Sequence, residues 1–129
     1  MQSNTFSRQE RLRGKTVFTR LFEKGRTFHV PPYRITWQVV PDAGTERECL
    51  QAAFVVPKRN FKKAHDRNRI RRRMKEAYRL NKNDLRLLLR ERGKTLIFAC
   101  LYTGKEECLY PEIENKIIVT LQRLAKETA

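Results

Sequence analysis

The sequence contains no hydrophobic run long enough to cross a lipid bilayer. Its longest apolar stretch extends from Leu96 to Tyr102, whereas a membrane-spanning helix needs about 20 such residues. The first residues, MQSNTFSRQER, also lack the apolar centre of a secretory signal peptide. These absences argue against a membrane-spanning or secreted protein, and we expect a soluble protein of the cytoplasm with no membrane partner.

Cysteine is scarce, which argues against stabilisation by zinc sites or disulfide bonds. The chain has three cysteines, Cys49, Cys100 and Cys108, and their spacing is unlike that of a zinc site or a disulfide framework. Cys100 lies inside an apolar stretch, so we expect a buried and reduced thiol there.

Clusters of catalytic side chains are missing as well. A two-metal nuclease needs carboxylates that hold ions about 4 Å apart, yet the 14 acidic residues are dispersed along the chain. The two histidines, His29 and His65, lie in loops of different composition and make a poor acid–base pair. The sequence therefore predicts no catalytic residue, no metal site and no small-molecule substrate for the protein itself.

Positive charge, by contrast, is abundant. The chain has 29 Lys and Arg against 14 Asp and Glu, a net charge of +15. Residues 57–79, PKRNFKKAHDRNRIRRRMKEAYR, hold eleven of the cations and two acidic residues. Ile70, Met74, Ala77 and Tyr78 recur in this segment at the spacing of one helical face. We therefore expect a folded helix that presents a rigid basic surface.

The predicted helix places a basic stripe beside its apolar stripe. At 100° per residue, the stripe consists of Asn68, Arg71, Arg72, Lys75 and Arg79. Such a stripe can follow a phosphate backbone and release its counterions, and the guanidinium fork suits phosphate oxygens. A nucleic acid is the favoured partner, while a solvated helix, an acidic protein and an anionic membrane remain open alternatives.

The flanks of the stripe also carry charge. Arg69 and Arg73 fall on the other side of the helix near Glu76, where ion pairing within the helix is the alternative to a contact with the partner. The loop before the helix adds further cations, Lys58, Arg59, Lys62 and Lys63. Backbone N–H groups at the start of the helix can reinforce anion binding there.

The N-terminal third of the chain predicts one helix and one strand. Ser7 and Glu10 have the spacing of a capping box, but Gly14 argues for a helix from about Lys15 to Lys24, which Gly25 ends. Pro31 and Pro32 break the chain. Tyr33 to Val40 then alternates as a half-buried strand, with Trp37 on the core side.

The remaining elements complete an α+β pattern. A turn at 41–44 leads to a second strand, Cys49 to Val56, expected to run antiparallel to the first. Beyond the basic helix, the sequence predicts a short helix from Leu85 to Arg92 capped by Asp84, a central strand from Thr95 to Tyr102, and a last helix from Tyr110 to Lys126. The last helix should bury Ile113, Ile117, Leu121 and Leu124.

We predict one domain over residues 1–129, an α/β sandwich with a mostly antiparallel sheet of about four strands and helices packed against it. Residues 1–10 are expected to be flexible.

The order of residues in the basic segment resembles a known signature. Arg67-Asn68-Arg69 is similar to the RNR signature of the bacterial ribonuclease P protein subunit. Further matches, in order, are Arg11-Leu12-Arg13, Phe18 with Phe22 and Gly25, the string from Val55 to Arg59, Ala64-His65-Asp66, and the string from Glu76 to Arg79. The matches together cover most of residues 11–102.

The resemblance implies a small α+β fold with a left-handed βαβ crossover, an exception to the usual hand. It also implies a protein cofactor of the ribonucleoprotein endoribonuclease that removes the 5′ leader of precursor tRNA. In that family the catalytic RNA subunit carries the active centre and most of the Mg²⁺, so the partners implied here are ribonuclease P RNA and precursor tRNA.

The family's functional residues carry over by position. The signature implies contact with the RNA subunit for Arg67, Asn68 and Arg69, and the basic pair before it adds Lys58 and Arg59. With the cations of the stripe, the full set for the RNA subunit is Lys58, Arg59, Arg67, Asn68, Arg69, Arg71, Arg72, Lys75 and Arg79. Further basic contacts are expected at Arg11, Arg13, Lys62 and Lys63.

A leader-binding cleft is implied on the first helix and first strand. Phe18 and Phe22 match aromatic residues that line the family's cleft, where ring faces stack on unpaired bases. Core packing of the helix is the alternative for both rings. Arg34 and Thr36 would supply polar contacts from the strand, where the family often has an apolar residue.

The alternatives for function are a general RNA-binding or ribosome-associated domain and an autonomous metal nuclease.

Overall fold

The computed structural model describes residues 6, 10–12, 14–40 and 48–129. The turn predicted at 41–44, the cap residue Ser7 and the predicted contact Arg13 lie outside them. The elements in chain order are α1 Lys15–Lys24, β1 Arg26–Val30, β2 Tyr33–Val40, β3 Leu50–Val55, α2 Ala64–Asn81, α3 Asn83–Arg92, β4 Thr95–Tyr102 and α4 Tyr110–Glu127. This pattern confirms the predicted α+β class. No helix in the described part of the chain has the length and apolar character of a membrane span.

The sheet is mixed, with strand order β1-β2-β4-β3. β2 runs antiparallel to β1 and β4, whereas β3 pairs with β4 in parallel. The predicted antiparallel pairing of the second strand with Tyr33–Val40 is therefore wrong. β4 is the most continuously apolar strand and lies between β2 and β3. Because α2 and α3 separate β3 from β4, the connection is long enough for a parallel return. The left hand of this crossover stays a prediction.

The strand β1 was missed because Pro31 and Pro32 were interpreted as a break. The two prolines instead form the turn of a hairpin, joined by a cis peptide bond. Phe28 and Val30 of β1 are buried, and His29 between them is exposed on the other face. The alternation of a short edge strand is weak in sequence because it covers only five residues.

One face of the sheet carries the large core. Tyr33, Ile35 and Trp37 of β2 point into it, which confirms the core position predicted for Trp37. The helices α2 and α4 cover this face. Their predicted inner stripes are confirmed, since every member is buried: Ile70, Met74, Ala77 and Tyr78 of α2, and Ile113, Ile117, Leu121 and Leu124 of α4.

The opposite face is covered by α1, whose predicted bounds are confirmed. Leu21 is completely buried and packs with Leu12, Ile97 and Ala99. Gly25 ends the helix where the chain passes very close to itself. A Cβ atom there would lie 2.4 Å from the carbonyl oxygen of Leu21 in α1 and 3.0 Å from that of Trp37 in β2, so a larger residue would distort the end of α1 and its contact with the sheet.

The segment from Asn83 to Arg92 contributes to the core. It begins at Asn83, without the side-chain cap expected from Asp84, and ends at Gly93 in the left-handed conformation. Leu85 and Leu89 are buried among the core residues. Just before α3, the buried Lys82 pairs with Glu10, so Glu10 binds a distant lysine.

Candidate nucleic-acid interface

The loop before α2 is held by the first arginine of the RNR signature. Arg67 donates from Nη1 to the carbonyl oxygens of Phe61, at 2.7 Å, and Lys62, at 2.9 Å. The Phe61 ring packs against Tyr102, with centroids 5.8 Å apart. Arg67 thus fastens the loop to the helix, while its Nε and Nη2 groups have no acceptor among the described residues and can bind one outside the protein.

The loop presents a group of exposed cations. None of them contacts an acidic side chain within the described ranges. They are Lys58, Arg59, Lys62 and Lys63. Four positive charges without acidic partners among the described residues, held on a tethered loop, strongly attract a polyanion.

Two arginines on the flank of α2 meet an acidic residue from another element. Arg69 donates from Nε and Nη2 to the two carboxylate oxygens of Glu107, each at 2.7 Å, and Arg73 donates to the same carboxylate at 2.8 Å. The hydrogen bond from Arg69 lowers the pKa of Glu107, and the same bond raises the pKa of Arg69.

Pairing within the helix, the alternative considered for this flank, occurs for Arg69 but not with the nearby Glu76 among the described residues. Glu76 instead binds Arg79 through two hydrogen bonds, at 2.6 and 3.0 Å. Within the helix, Arg69 pairs with Asp66 at 2.9 Å. Glu107 follows β4 and is far from α2 in sequence, so helical spacing alone could not reveal it.

The predicted stripe lies on the outer surface of α2. Arg72 and Asn68 are exposed, and Arg71 donates to the side-chain oxygen of Asn68 at 3.2 Å. Arg72 has no ionic or hydrogen-bonded partner in the part of the chain that the structure describes. Arg79 at the C-terminal end of the stripe forms an ion pair with Glu76. The cations available to a partner therefore lie toward the N-terminal end of the stripe.

The stripe continues into a small pocket beside the N-terminal segment. Arg11 reaches it because residues 11 and 12 add a short bridge to β3, with the N–H of Leu12 donating to the carbonyl of Ala52 at 2.9 Å. The pocket has a volume of about 210 Å³. Its lining is Phe6, Arg11, Leu12, Ala52, Ala53, Phe54 and Lys75.

The cations at this pocket repel one another. Partial burial lowers the pKa of Lys75, and the nearby charges of Arg11 and Arg71 lower the same pKa further. Arg11 also lies over the Phe6 ring, 5.4 Å from its centroid. The lining includes no acidic residue among those described. A phosphate group placed there would relieve the repulsion of all three cations.

The aromatic residues of α1 lie on the opposite face of the sheet. Phe22 is 57% exposed, so the core alternative does not describe its position. Phe18 is half-buried against the small core that Leu21 fills. The two rings stack, with centroids 6.3 Å apart and an angle of 20° between their planes.

An open row of side chains crosses the sheet on this same face. The register places His29, Arg34, Leu101 and Val55 side by side on four neighbouring strands. His29, Arg34 and Val55 are exposed and Leu101 is half-buried. The α1 aromatics lie on the same face of the sheet, and we call the surface that they share with this row the α1 groove. Three of its members escaped the sequence analysis, because the register that aligns them is a tertiary property.

Thr36 does not belong to the open part of the groove. It is 6% exposed, since it lies under the C-terminal end of α1 next to Gly25. Its hydroxyl is 3.3 Å from that of Thr27 on β1. The alternation that places Thr36 on the same face as Arg34 was correct, but α1 covers this part of the face.

The acidic residues of the described segments do not gather into a metal site. No group of three or more His, Cys, Asp or Glu side chains within these segments has the arrangement to hold an ion. Several of the carboxylates are engaged by arginines, as at Glu107, Glu76 and Glu48.

Comparison with known proteins gives consistent matches over nearly the whole chain. The family model described as Ribonuclease P matches residues 6–125. The ribonuclease P protein component of Porphyromonas gingivalis is 31% identical over 121 residues, which cover 92% of this chain and 85% of that protein. The same component of Chlorobaculum tepidum is 34% identical over 119 residues, covering 88% of this chain and 77% of that one.

A solved structure supports the fold. The RNase P protein of Staphylococcus aureus superposes with a TM-score of 0.60 at 17% identity, covering 91% of this chain and 95% of the other. At that identity the likeness concerns the arrangement of helices and strands.

Proposed function

Because the chain belongs to the Ribonuclease P protein family, we propose that its α2 surface binds the RNA subunit of ribonuclease P and its α1 groove binds the leader of precursor tRNA. As a member of this family it serves as the protein subunit of a ribonucleoprotein endoribonuclease that matures the 5′ end of tRNA.

The observation that carries the first part is the concentration of available cations on one folded surface. The loop cations, Arg72, Arg71 and Lys75 lie along α2 and its entry without acidic partners within the described ranges. Each phosphate that such a cation neutralises releases condensed counterions, which contributes about 0.7–0.9 to the slope of log K against log salt.

Exposed ring surface supports the second part. Phe22 and the open side of Phe18 offer faces on which unpaired bases can stack without sequence preference. Arg34, in the open row, can meet the leader's phosphates. A cofactor that serves many precursors needs this kind of sequence-tolerant contact.

The two surfaces lie on opposite faces of the sheet. The α2 surface sits on the side of the large core, and the α1 groove on the side that Leu21 anchors. The RNA subunit and the leader would therefore not compete for the same residues. The arrangement suits a protein that bridges the catalytic RNA and its substrate.

Mg²⁺ does not fit a site built from the described side chains, since their carboxylates are dispersed and many are paired with arginine. The hard cation prefers oxygen ligands and retained waters, which the phosphates of the RNA subunit supply. We assign no reaction step to the protein's residues.

We place this assembly in the cytoplasm, in keeping with the free thiols of Cys49, Cys100 and Cys108.

Reconstitution tests this function. The protein is combined with a ribonuclease P RNA and a precursor tRNA at low Mg²⁺, and release of the leader is followed over time. We expect faster release than with the RNA alone. Absence of stimulation, with binding to RNA retained, would favour a general RNA-binding domain. Cleavage without the RNA subunit would favour a nuclease site in the protein.

A further inference from the structure

Glu107 occupies the connection between β4 and α4 and joins two turns of α2. One carboxylate oxygen accepts from Nη2 of Arg69, and the other accepts from Nε of Arg69 and Nη1 of Arg73. The Arg69 contact is thus bidentate, the geometry in which an arginine is held most firmly. Arg73 also donates to the carbonyl of Cys108 at 3.0 Å.

The connection that carries Glu107 is itself held from the core. The hydroxyl of the buried Tyr102 donates to the carbonyl of Glu106 at 2.6 Å and accepts from the N–H of Cys108 at 3.1 Å. The residues on either side of Glu107 are therefore fixed by one side chain. A carboxylate on so restrained a backbone can set the position of the guanidiniums that it binds.

Both arginines keep donors for an outside acceptor. Nη1 of Arg69 and the Nε and Nη2 groups of Arg73 have no partner within the described part of the chain. The Arg69 side chain is 41% exposed and that of Arg73 is 27% exposed. They stand one helical turn apart, so one carboxylate aligns two adjacent cationic groups on the flank of α2.

We propose that Glu107 is a positioning residue for RNA binding, which holds Arg69 and Arg73 so that their remaining N–H groups meet phosphates of the RNA subunit. This inference rests on the proposed function of the α2 surface. Arginine has a long, flexible side chain, and ordering it at an interface weakens binding. Glu107 orders two such side chains before the RNA arrives.

Positioning and simple electrostatics predict opposite changes in RNA affinity when this carboxylate is lost. Removing one negative charge from a protein of net charge +15 should strengthen its attraction for a polyanion. Positioning predicts weaker binding, because the two arginines must then be ordered by the RNA itself. The direction of the change therefore separates the two effects.

The experiment compares Glu107→Gln with Glu106→Gln in equilibrium binding to ribonuclease P RNA over a range of salt concentrations. Glu106 is exposed and has no ion pair within the described ranges, so its variant makes the same change in charge without releasing an arginine. We expect Glu107→Gln to bind about fivefold more weakly and Glu106→Gln to bind as tightly as the native protein or more tightly. Equal or tighter binding by Glu107→Gln would overturn the proposal.

Glu107→Asp provides a second variant that leaves the net charge unchanged. Its carboxylate is one methylene too short for the same contacts, so a smaller loss of affinity is expected, and native affinity would count against positioning. Binding is measured below the unfolding temperature of each variant, determined by circular dichroism. In an Arg69→Gln/Arg73→Gln background, Glu107→Gln should leave affinity unchanged or slightly raised, as expected for Glu106→Gln, whereas a general structural role would still reduce it.

Arg72→Gln distinguishes failure of this inference from failure of the proposed function. If Arg72→Gln weakens binding and Glu107→Gln does not, the α2 surface stands and the positioning role of Glu107 is wrong. If neither change weakens binding, the assignment of α2 to the RNA subunit falls, and the inference about Glu107 falls with it.

Discussion

The two faces of the sheet are built in different ways. On the α2 side, arginines are tied to carbonyls and carboxylates from other elements, as with Arg67 and Phe61 or Arg69 and Glu107. On the α1 side, a helix of ten residues covers part of the sheet and leaves aromatic rings and an open row of side chains in solvent. The first arrangement suits a fixed, structured RNA, and the second suits a flexible strand of varying sequence.

The largest effect should come from the residue that anchors α1. Leu21→Ala removes a completely buried side chain and should lower the free energy of unfolding by about 2–5 kcal/mol. Urea denaturation followed by circular dichroism measures the loss. Leu109→Ala is the control, because Leu109 is 72% exposed and should change stability by about 0.5 kcal/mol or less. A similarly small loss for Leu21→Ala would mean that α1 does not depend on this contact.

Phe22→Ala tests whether the α1 groove binds unpaired bases. A stacked ring contributes about 1–3 kcal/mol per base, so the variant should lose roughly that much affinity for precursor tRNA in the assembled enzyme. Affinity for mature tRNA, which lacks the leader, should stay the same. Because Phe22 is 57% exposed, stability should change little. An equal loss for precursor and mature tRNA would remove the ring from the leader path.

Much of the fold followed from helical and strand periodicity, because burial imposes that periodicity locally. The bounds of α1 and the inner residues of α2 are examples. Strand order was not accessible in this way. The sequence of β3 is compatible with several neighbours, and its parallel pairing with β4 depends on how the whole chain packs.

The candidate site shows the same division. The cations of α2 were found from charge and spacing, but their partners were not, since Glu107 and the Phe61 carbonyl reach them from other segments. Thr36 was placed on the correct face, yet only the packing of α1 shows that it is covered. The register of the open row likewise required the missed strand β1.

Matched arginines on the two faces test which face binds the RNA subunit. Arg72 on α2 and Arg20 on α1 are both exposed, so replacing either with glutamine removes the same charge. Arg72→Gln should reduce the slope of log K against log salt for the RNA subunit by about one. Arg20→Gln should leave that slope unchanged, because Arg20 lies on the other side of the sheet. Equal slopes for the two variants would contradict the separation of surfaces.

The smallest expected effect is a weak pH dependence of RNA binding, caused by Lys75 in the pocket between α2 and the N-terminal segment. Burial and the charges of Arg11 and Arg71 lower the pKa of Lys75 in the free protein. At low pH the lysine is charged in both the folded and the unfolded state, and this charge lowers the free energy of unfolding because the folded surroundings disfavour it. Between the lowered pKa and the ordinary value, the folded state binds fewer protons than the unfolded state. The cost disappears as pH rises through the lowered pKa toward the ordinary value of 10.5.

A phosphate in the pocket would favour the charged lysine and raise that pKa again. Binding to the RNA subunit should then be accompanied by proton uptake, and affinity should fall slightly as pH rises through the lowered pKa of the free protein. Lys75→Gln should abolish this part of the pH dependence. Lys75→Arg, which stays charged, should bind without it as well. Calorimetry in buffers of different ionisation enthalpy measures the proton uptake, and an identical uptake in the native protein and Lys75→Gln would place the phosphate elsewhere.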